Sequence, residues 1–134
     1  MYNEYGRVDI VKRIIAMFIK TLKAKIHRAT VTETRLDYPG SIAVDSELME
    51  AAQISPYEAV LMANITNGAR AETYIVPAPA GSGDVVVLGA AARRFNPKDI
   101  IIIINFAYYT PDETKKLKPK VVVCDENNKI KKIL

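Results

Sequence analysis

The sequence predicts a mainly β protein, a small barrel with a few short helices. Three observations carry this. Runs rich in β-branched residues recur along the chain, among them "AVLMANI", "VVVLG" and "DIIIIINFAYY". Only a few short stretches have the caps and apolar spacing of helices. Turn sequences drawn from six glycines and seven prolines punctuate the rest. The length, 134 residues, suits one domain with one core.

The elements follow in order. In residues 1–16, "IVKRIIAMF" begins a stretch that suits a short helix running into Phe18. From Thr21 to Val31, Leu22, Ala24 and Ile26 alternate with Lys23, Lys25 and His27, the period of a half-buried strand. Lys25 and His27 therefore share a face. "LDYPGSIAVDS" reads as a tight turn, with Pro39 and Gly40 suited to the centre of a type II turn. "DSELMEAAQI" is a short helix capped by Asp45 or Ser46 and stopped by Pro56. "AVLMANI" and "ARAETYIVP" are strands joined by a hairpin turn at Asn67-Gly68. On the second, Arg70, Glu72 and Tyr74 share one face and Thr73 points the other way. "AGSGD" is a further hairpin turn, and "VVVLGAAARRF" starts as a strand that ends at Gly89. "DIIIIINFAYY" predicts a central strand buried on both faces. "TPDETKKL" opens a helix with Thr110 as cap, Pro111 in the first turn and Glu113 closing a capping box. "KVVVCDENNKI" gives a last strand and a polar tail.

Composition removes several function classes. The net charge is +4, and basic residues are spread from Arg7 to Lys132, recurring from Lys12 onward, without a long block. That pattern favours a solvated surface and an anionic small substrate over a nucleic-acid footprint. A single cysteine, Cys124, and a single histidine, His27, leave no disulfide within the chain, no cysteine metal cluster and no two-histidine zinc motif. The apolar run Ile14–Ile19 is too short for a membrane span, so the expected setting is cytoplasmic, with no metal.

Ser41 sits in no G-x-S-x-G elbow, and "AGSGD" lacks the Lys and following helix of a phosphate loop. A looser group stands out at predicted strand ends: Lys25, His27, Tyr38, Gly40, Ser41, Arg70, Thr73 and Tyr74. Taken singly, each has an ordinary structural explanation. Their joint order does not: K-x-H-R, Y-x-G-S, N-G-x-R-x-x-T-Y and G-A-A-A-R follow one another from Met17 to about Ile130. In this the chain resembles the pyruvoyl-dependent aspartate 1-decarboxylases.

The resemblance implies a double-psi β-barrel with short helices, assembled as a homotetramer with active sites at subunit contacts. It makes residues 1–16 an N-terminal extension and 17–134 a single domain. That domain would cut itself between Gly40 and Ser41 into pieces 1–40 and 41–134. Ser41 would become a pyruvoyl group, a ketone that forms a Schiff base with L-aspartate and accepts the electrons released with carbon dioxide. By the same resemblance, Thr73 steadies the oxyanion of cleavage and takes part in substrate binding, and Tyr74 reprotonates the product. Arg70 and Lys25 hold carboxylates. Ala90 and Ala91 let the substrate approach closely, Ile102 lines the pocket, and His27 and Tyr38 support it. Two departures stand out. Leu88 occupies the place where the family usually has Asn before G-A-A-A. In "NPKD", Lys98 stands where a glycine is usual before Asp99, which predicts an altered loop. Leu88 leaves open an alternative, an uncleaved barrel that serves as an assembly or regulatory subunit. A basic barrel that binds nucleic acid and a decarboxylase for another acidic amino acid, such as cysteine sulfinate, are further readings.

Overall fold

In the computed structural model, which describes Glu4, Gly6 and residues 17–134, the alternation around Ala24 and Ile26 produces β1, Ile19–Thr30. Ala24 and Ile26 are fully buried and Lys25 and His27 half-buried, as their spacing predicts. The helix expected from "IVKRIIAMF" falls almost wholly outside the described residues. After Val31 and Thr32 the chain continues as β2, Glu33–Arg35. The segment read as a turn flank is a strand, β3, Ser41–Asp45. Ile42 and Val44 alternate inward there, a signal too short to recognise beside Pro39 and Gly40. Helix α1, Ser46–Ala52, is capped by the Asp45 carboxylate, which accepts from the Glu47 amide at 2.9 Å. It ends on a left-handed Gln53, before Pro56 is reached.

β4, Ala59–Asn64, and β5, Arg70–Ala78, pair antiparallel as expected. The Asn67-Gly68 turn is longer than a two-residue hairpin and closes on Asn64, whose carbonyl accepts from the Gly68 amide at 2.7 Å. β6, Val85–Leu88, gives way at Gly89 to a 3-10 helix, Gly89–Arg94. "AGSGD" is not a hairpin: β5 and β6 do not pair but lie on opposite sides of β3, parallel and antiparallel to it. β7, Ile100–Tyr109, is central, between β4 and β1. It is buried on one face only. Ile101, Ile103 and Asn105 are at 0% exposure, while Ile100, Ile102 and Ile104 are half-buried on the outer face. Helix α2, Pro111–Lys116, carries the full Thr110/Glu113 capping box. β8, Lys120–Cys124, follows, and the expected polar tail is in fact a further strand, β9, Ile130–Ile133.

The strands close into a ring. β1 pairs with β7, β7 with β4, β4 with β5, β5 with β3, β3 with β6, and β6 with β2, which continues β1. The result is mainly β, with few and short helices, in keeping with a small double-psi barrel. Ile26, Ile42, Val60, Met62, Ile75, Val85, Val87, Phe95, Ile101 and Ile103 fill the interior. Each such side chain contributes roughly 1.5–3 kcal/mol on leaving water.

Candidate active site

One group of candidates gathers at the start of β3. Ser41 is only 5% exposed and pairs with Leu88 across the antiparallel β3/β6 ladder. Residues paired in this way project on the same face, so Leu88 stands beside the Ser41 side chain on the outer wall. β3 also runs parallel to β5, with Ile42 opposite Ile75. One step back along that register, Tyr74 falls beside Ser41. One further step brings Thr73 beside Gly40. Tyr74 is exposed with Arg70 and Glu72, and Thr73 and Ala71 alternate with them, as the strand period predicts. The Tyr74 ring packs against Tyr57, centroids 6.3 Å apart.

The turn before Ser41 differs from expectation. Gly40 is not among the residues with positive φ, so a type II turn with Gly40 at its left-handed position is not formed. A Cβ on Gly40 would meet only the Leu88 carbonyl oxygen, at 4.0 Å. The left-handed glycine lies opposite, at Gly89, φ +83°, backed directly onto Gly40. Ala90 and Ala91 follow in the 3-10 helix, exposed and half-buried. Beside this turn opens a shallow groove of about 280 Å³, lined by Glu33, Arg35, Tyr38, Ala43, Val86 and Leu88. The Arg35 guanidinium lies 5.7 Å from the centre of the Tyr38 ring and is paired with Glu33.

A second group lies elsewhere on the outer wall. Lys25, Ile104, Leu61 and Glu72 form one row across β1, β7, β4 and β5. In the next row Ile102, Ala63 and Arg70 are in register, and a bulge in β1 sets His27 and Arg28 against Ile102. Arg28 takes the left-handed backbone, φ +62°, that this bulge requires. Burial, then the charges of Arg28 and Lys25, hold the His27 imidazole below its ordinary pKa of 6.5, so it is neutral at pH 7.

One chain therefore brings Tyr38, Gly40, Ser41, Thr73, Tyr74, Ala90 and Ala91 toward one place; Lys25, His27 and Ile102 lie on the neighbouring strands β1 and β7, and Arg70 stands on β5, four residues before Tyr74. β5, β4 and β7 separate β1 from β3. At about 4.8 Å per strand this amounts to roughly 19 Å around that side of the ring, while on the other side only β6 stands between β3 and β2. Sequence reasoning missed the structural demand on Gly89, although its motif had been noted, and missed the partnership of Tyr57 with Tyr74. Among the described residues no cluster of three or more His, Cys, Asp or Glu side chains could hold a metal. Cys124 is buried, its thiol pushed up to about 11 chiefly by burial.

Comparison with known proteins agrees with the motif order. Residues 17–131 match the family described as "Aspartate decarboxylase". This chain belongs to that family. Aspartate 1-decarboxylase of Pelotomaculum thermopropionicum is 53% identical over 114 residues, covering 85% of this chain and 86% of that protein. That of Carboxydothermus hydrogenoformans is 53% identical over 117 residues, 87% and 92% of the two chains. That of Listeria monocytogenes (strain EGD-e) is 48% identical over 118 residues, 88% and 93%. Leu88, where the resemblance leads one to expect Asn, is the residue paired with Ser41. Lys98 takes a left-handed backbone, φ +78°, the conformation that favours glycine. None of the helices among the described residues is long and apolar enough to cross a membrane.

Proposed function

We propose that this chain is an aspartate 1-decarboxylase, converting L-aspartate to β-alanine and carbon dioxide for pantothenate synthesis, through a pyruvoyl group made from its own Ser41. The observation that carries the proposal is the family membership, joined to a Gly40-Ser41 bond at the mouth of β3 with Tyr74 beside it. The Ser41 hydroxyl adds to the Gly40 carbonyl carbon, the C–N bond breaks, and the hydroxyl proton passes to the Ser41 nitrogen. The amide is now an ester. Loss of the Ser41 Cα proton expels the Gly40 carboxylate from Cβ. Water then displaces the nitrogen as ammonia, leaving pieces 1–40 and 41–134. Thr73, beside Gly40, offers a hydroxyl donor to the oxyanion of the first step.

The nearly buried Ser41 position, flanked by Leu88 and a phenol, fits a small ketone at that place. Once formed, the ketone supplies an electron sink for the departing carbon dioxide. The chain's own residues do the rest. Arg70 offers a bidentate fork to one substrate carboxylate and Lys25 a point charge to the other. Tyr74 returns a proton to the substrate carbon. Ala90 and Ala91 leave room, Ile102 walls the pocket, and His27 and Tyr38 support it. The separation of Lys25 on β1 from Ser41 on β3 favours a site built from two copies, Lys25 of one closing over Ser41 of the next, in a homotetramer.

Leu88 favours one alternative, a barrel that stays uncut and acts as an assembly subunit. Intact mass under denaturing conditions decides between them. Two pieces, the larger bearing a pyruvoyl end, together with carbon dioxide release from L-aspartate, are expected. Full-length chain alone after prolonged warming would overturn the proposal. Release from cysteine sulfinate in preference to aspartate would change the substrate only.

A further inference from the structure

The glycine with the tightest steric demand is not at the proposed scissile bond but opposite it. A Cβ built on Gly89 would stand 2.7 Å from the Gly40 Cα, 2.8 Å from the Tyr38 carbonyl oxygen and 2.9 Å from the Gly40 nitrogen. Carbon atoms in contact rest at about 3.5–4.0 Å. All three clashes are with backbone, which cannot swing aside as a side chain can. Gly40 itself has room for a side chain. The precursor therefore presses its 38–40 segment onto Gly89, and only a glycine permits it. Residue 88 pairs with Ser41 on one side of the scissile peptide, and residue 89 backs Gly40 on the other. Consecutive residues hold the two ends of one bond.

Resting on the self-cleavage proposed above, we infer that Gly89 is a positioning residue for that cleavage. By lacking a Cβ, it lets the Gly40 carbonyl sit where the Ser41 hydroxyl can reach it. The step it serves is the first, hydroxyl addition with transfer of the acyl group from nitrogen to oxygen. Gly89 takes no part in bond making.

The test is the cleavage rate of purified Gly89→Ala precursor, followed by intact mass. Gly68→Ala serves as the control. Gly68 has nearly the same backbone, φ +79°, but nothing within 4 Å of an added Cβ, so it carries the conformational strain without the collision. A displacement of about 1 Å costs about a hundredfold in rate. Gly89→Ala should therefore cut about a hundredfold more slowly than wild type while still giving a cooperative thermal transition, and Gly68→Ala should cut at the wild-type rate. Hydroxylamine, which splits esters, should not speed Gly89→Ala, because the ester itself does not form. Wild-type cleavage rates in Gly89→Ala, equal slowing in Gly68→Ala, rapid hydroxylamine scission, or loss of the cooperative transition would each overturn the inference. A wild-type chain that never cuts would instead bring down the self-cleavage reading beneath it.

Discussion

Lys98, Leu88 and His27 each occupy positions whose conformation, neighbour or charge tells more than their residue type. Lys98 holds φ +78° with its amide donating to the Val31 carbonyl at 2.7 Å. A left-handed L-residue costs roughly 1–2 kcal/mol, and glycine gives back about 0.4–1 kcal/mol through the freer unfolded chain. Lys98→Gly should therefore stabilise the protein by about 0.5–1 kcal/mol, read from urea unfolding. Leu88 puts an apolar side chain beside Ser41 where an amide would offer two donors and an acceptor. Leu88→Asn should speed cutting, and an unchanged or slower time course by intact mass would show that the apolar neighbour is no handicap. His27 has its pKa lowered in the folded chain. Between that value and 6.5 the unfolded chain binds the proton and the folded chain does not, so stability falls as pH drops through 6.5. His27→Gln should flatten this part of the pH–stability curve. Motif order made the family legible in the sequence. The demand on Gly89 was not, because it arises from a contact with residues 38–40, about fifty positions away.

At the scale of elements, local chemistry made capped and strongly patterned segments legible. The Thr110/Glu113 box and the alternation in β1, β4 and β5 are examples. Short strands whose partners are remote were not, and β2, β3 and β9 exist because β6, β5 and β8 bond to them. The loop 79–84 shows how distant residues fix a segment. Asp45 accepts from the amides of Gly81 at 3.0 Å and Gly83 at 2.9 Å as well as from Glu47, so one carboxylate caps α1 and anchors the crossing from β5 to β6. Asn128 holds the other side, donating to the carbonyls of Thr30 and Gly83, both at 2.8 Å. Burial raises the Asp45 pKa, but the amides of Gly83, Glu47 and Gly81 and the Lys129 charge outweigh it, and the net shift is below 3.8. Its ionised form thus stabilises the fold above 3.8, and this is lost as pH falls through the lower folded value. Asp45→Ala leaves the buried Gly83 amide and two part-buried amides unpaired and should cost about 1–3 kcal/mol at pH 7, measured by urea unfolding, with a smaller difference in acid.

At the scale of the whole molecule, the two residue groups on the outer wall make a prediction that single-chain mutagenesis cannot test. If a site draws Lys25 from one copy and Ser41 from another, two inactive variants can repair each other. Co-expressed Ser41→Ala and Lys25→Ala chains should form mixed assemblies that release more carbon dioxide than the two variants purified apart and assayed together without exchange. Equal activity in both preparations would mean that each site is made by one chain.

The barrel ring has a further consequence. Its closing strand is the continuous β1–β2 segment, bonded to β7 and β8 at one end and to β6 at the other. All of it precedes Gly40. A cut at that bond severs the strand covalently from the rest while every ladder around it persists. Before the cut, closing the ring is a unimolecular event; afterwards it is an encounter between two separate polypeptides. Recovery of β structure after dilution from denaturant should be first order for Ser41→Ala and should slow with dilution for the cut protein from its earliest phase. The matured molecule would then owe its persistence to slow unfolding, held in a shape that its parts reach readily only while they are still one chain.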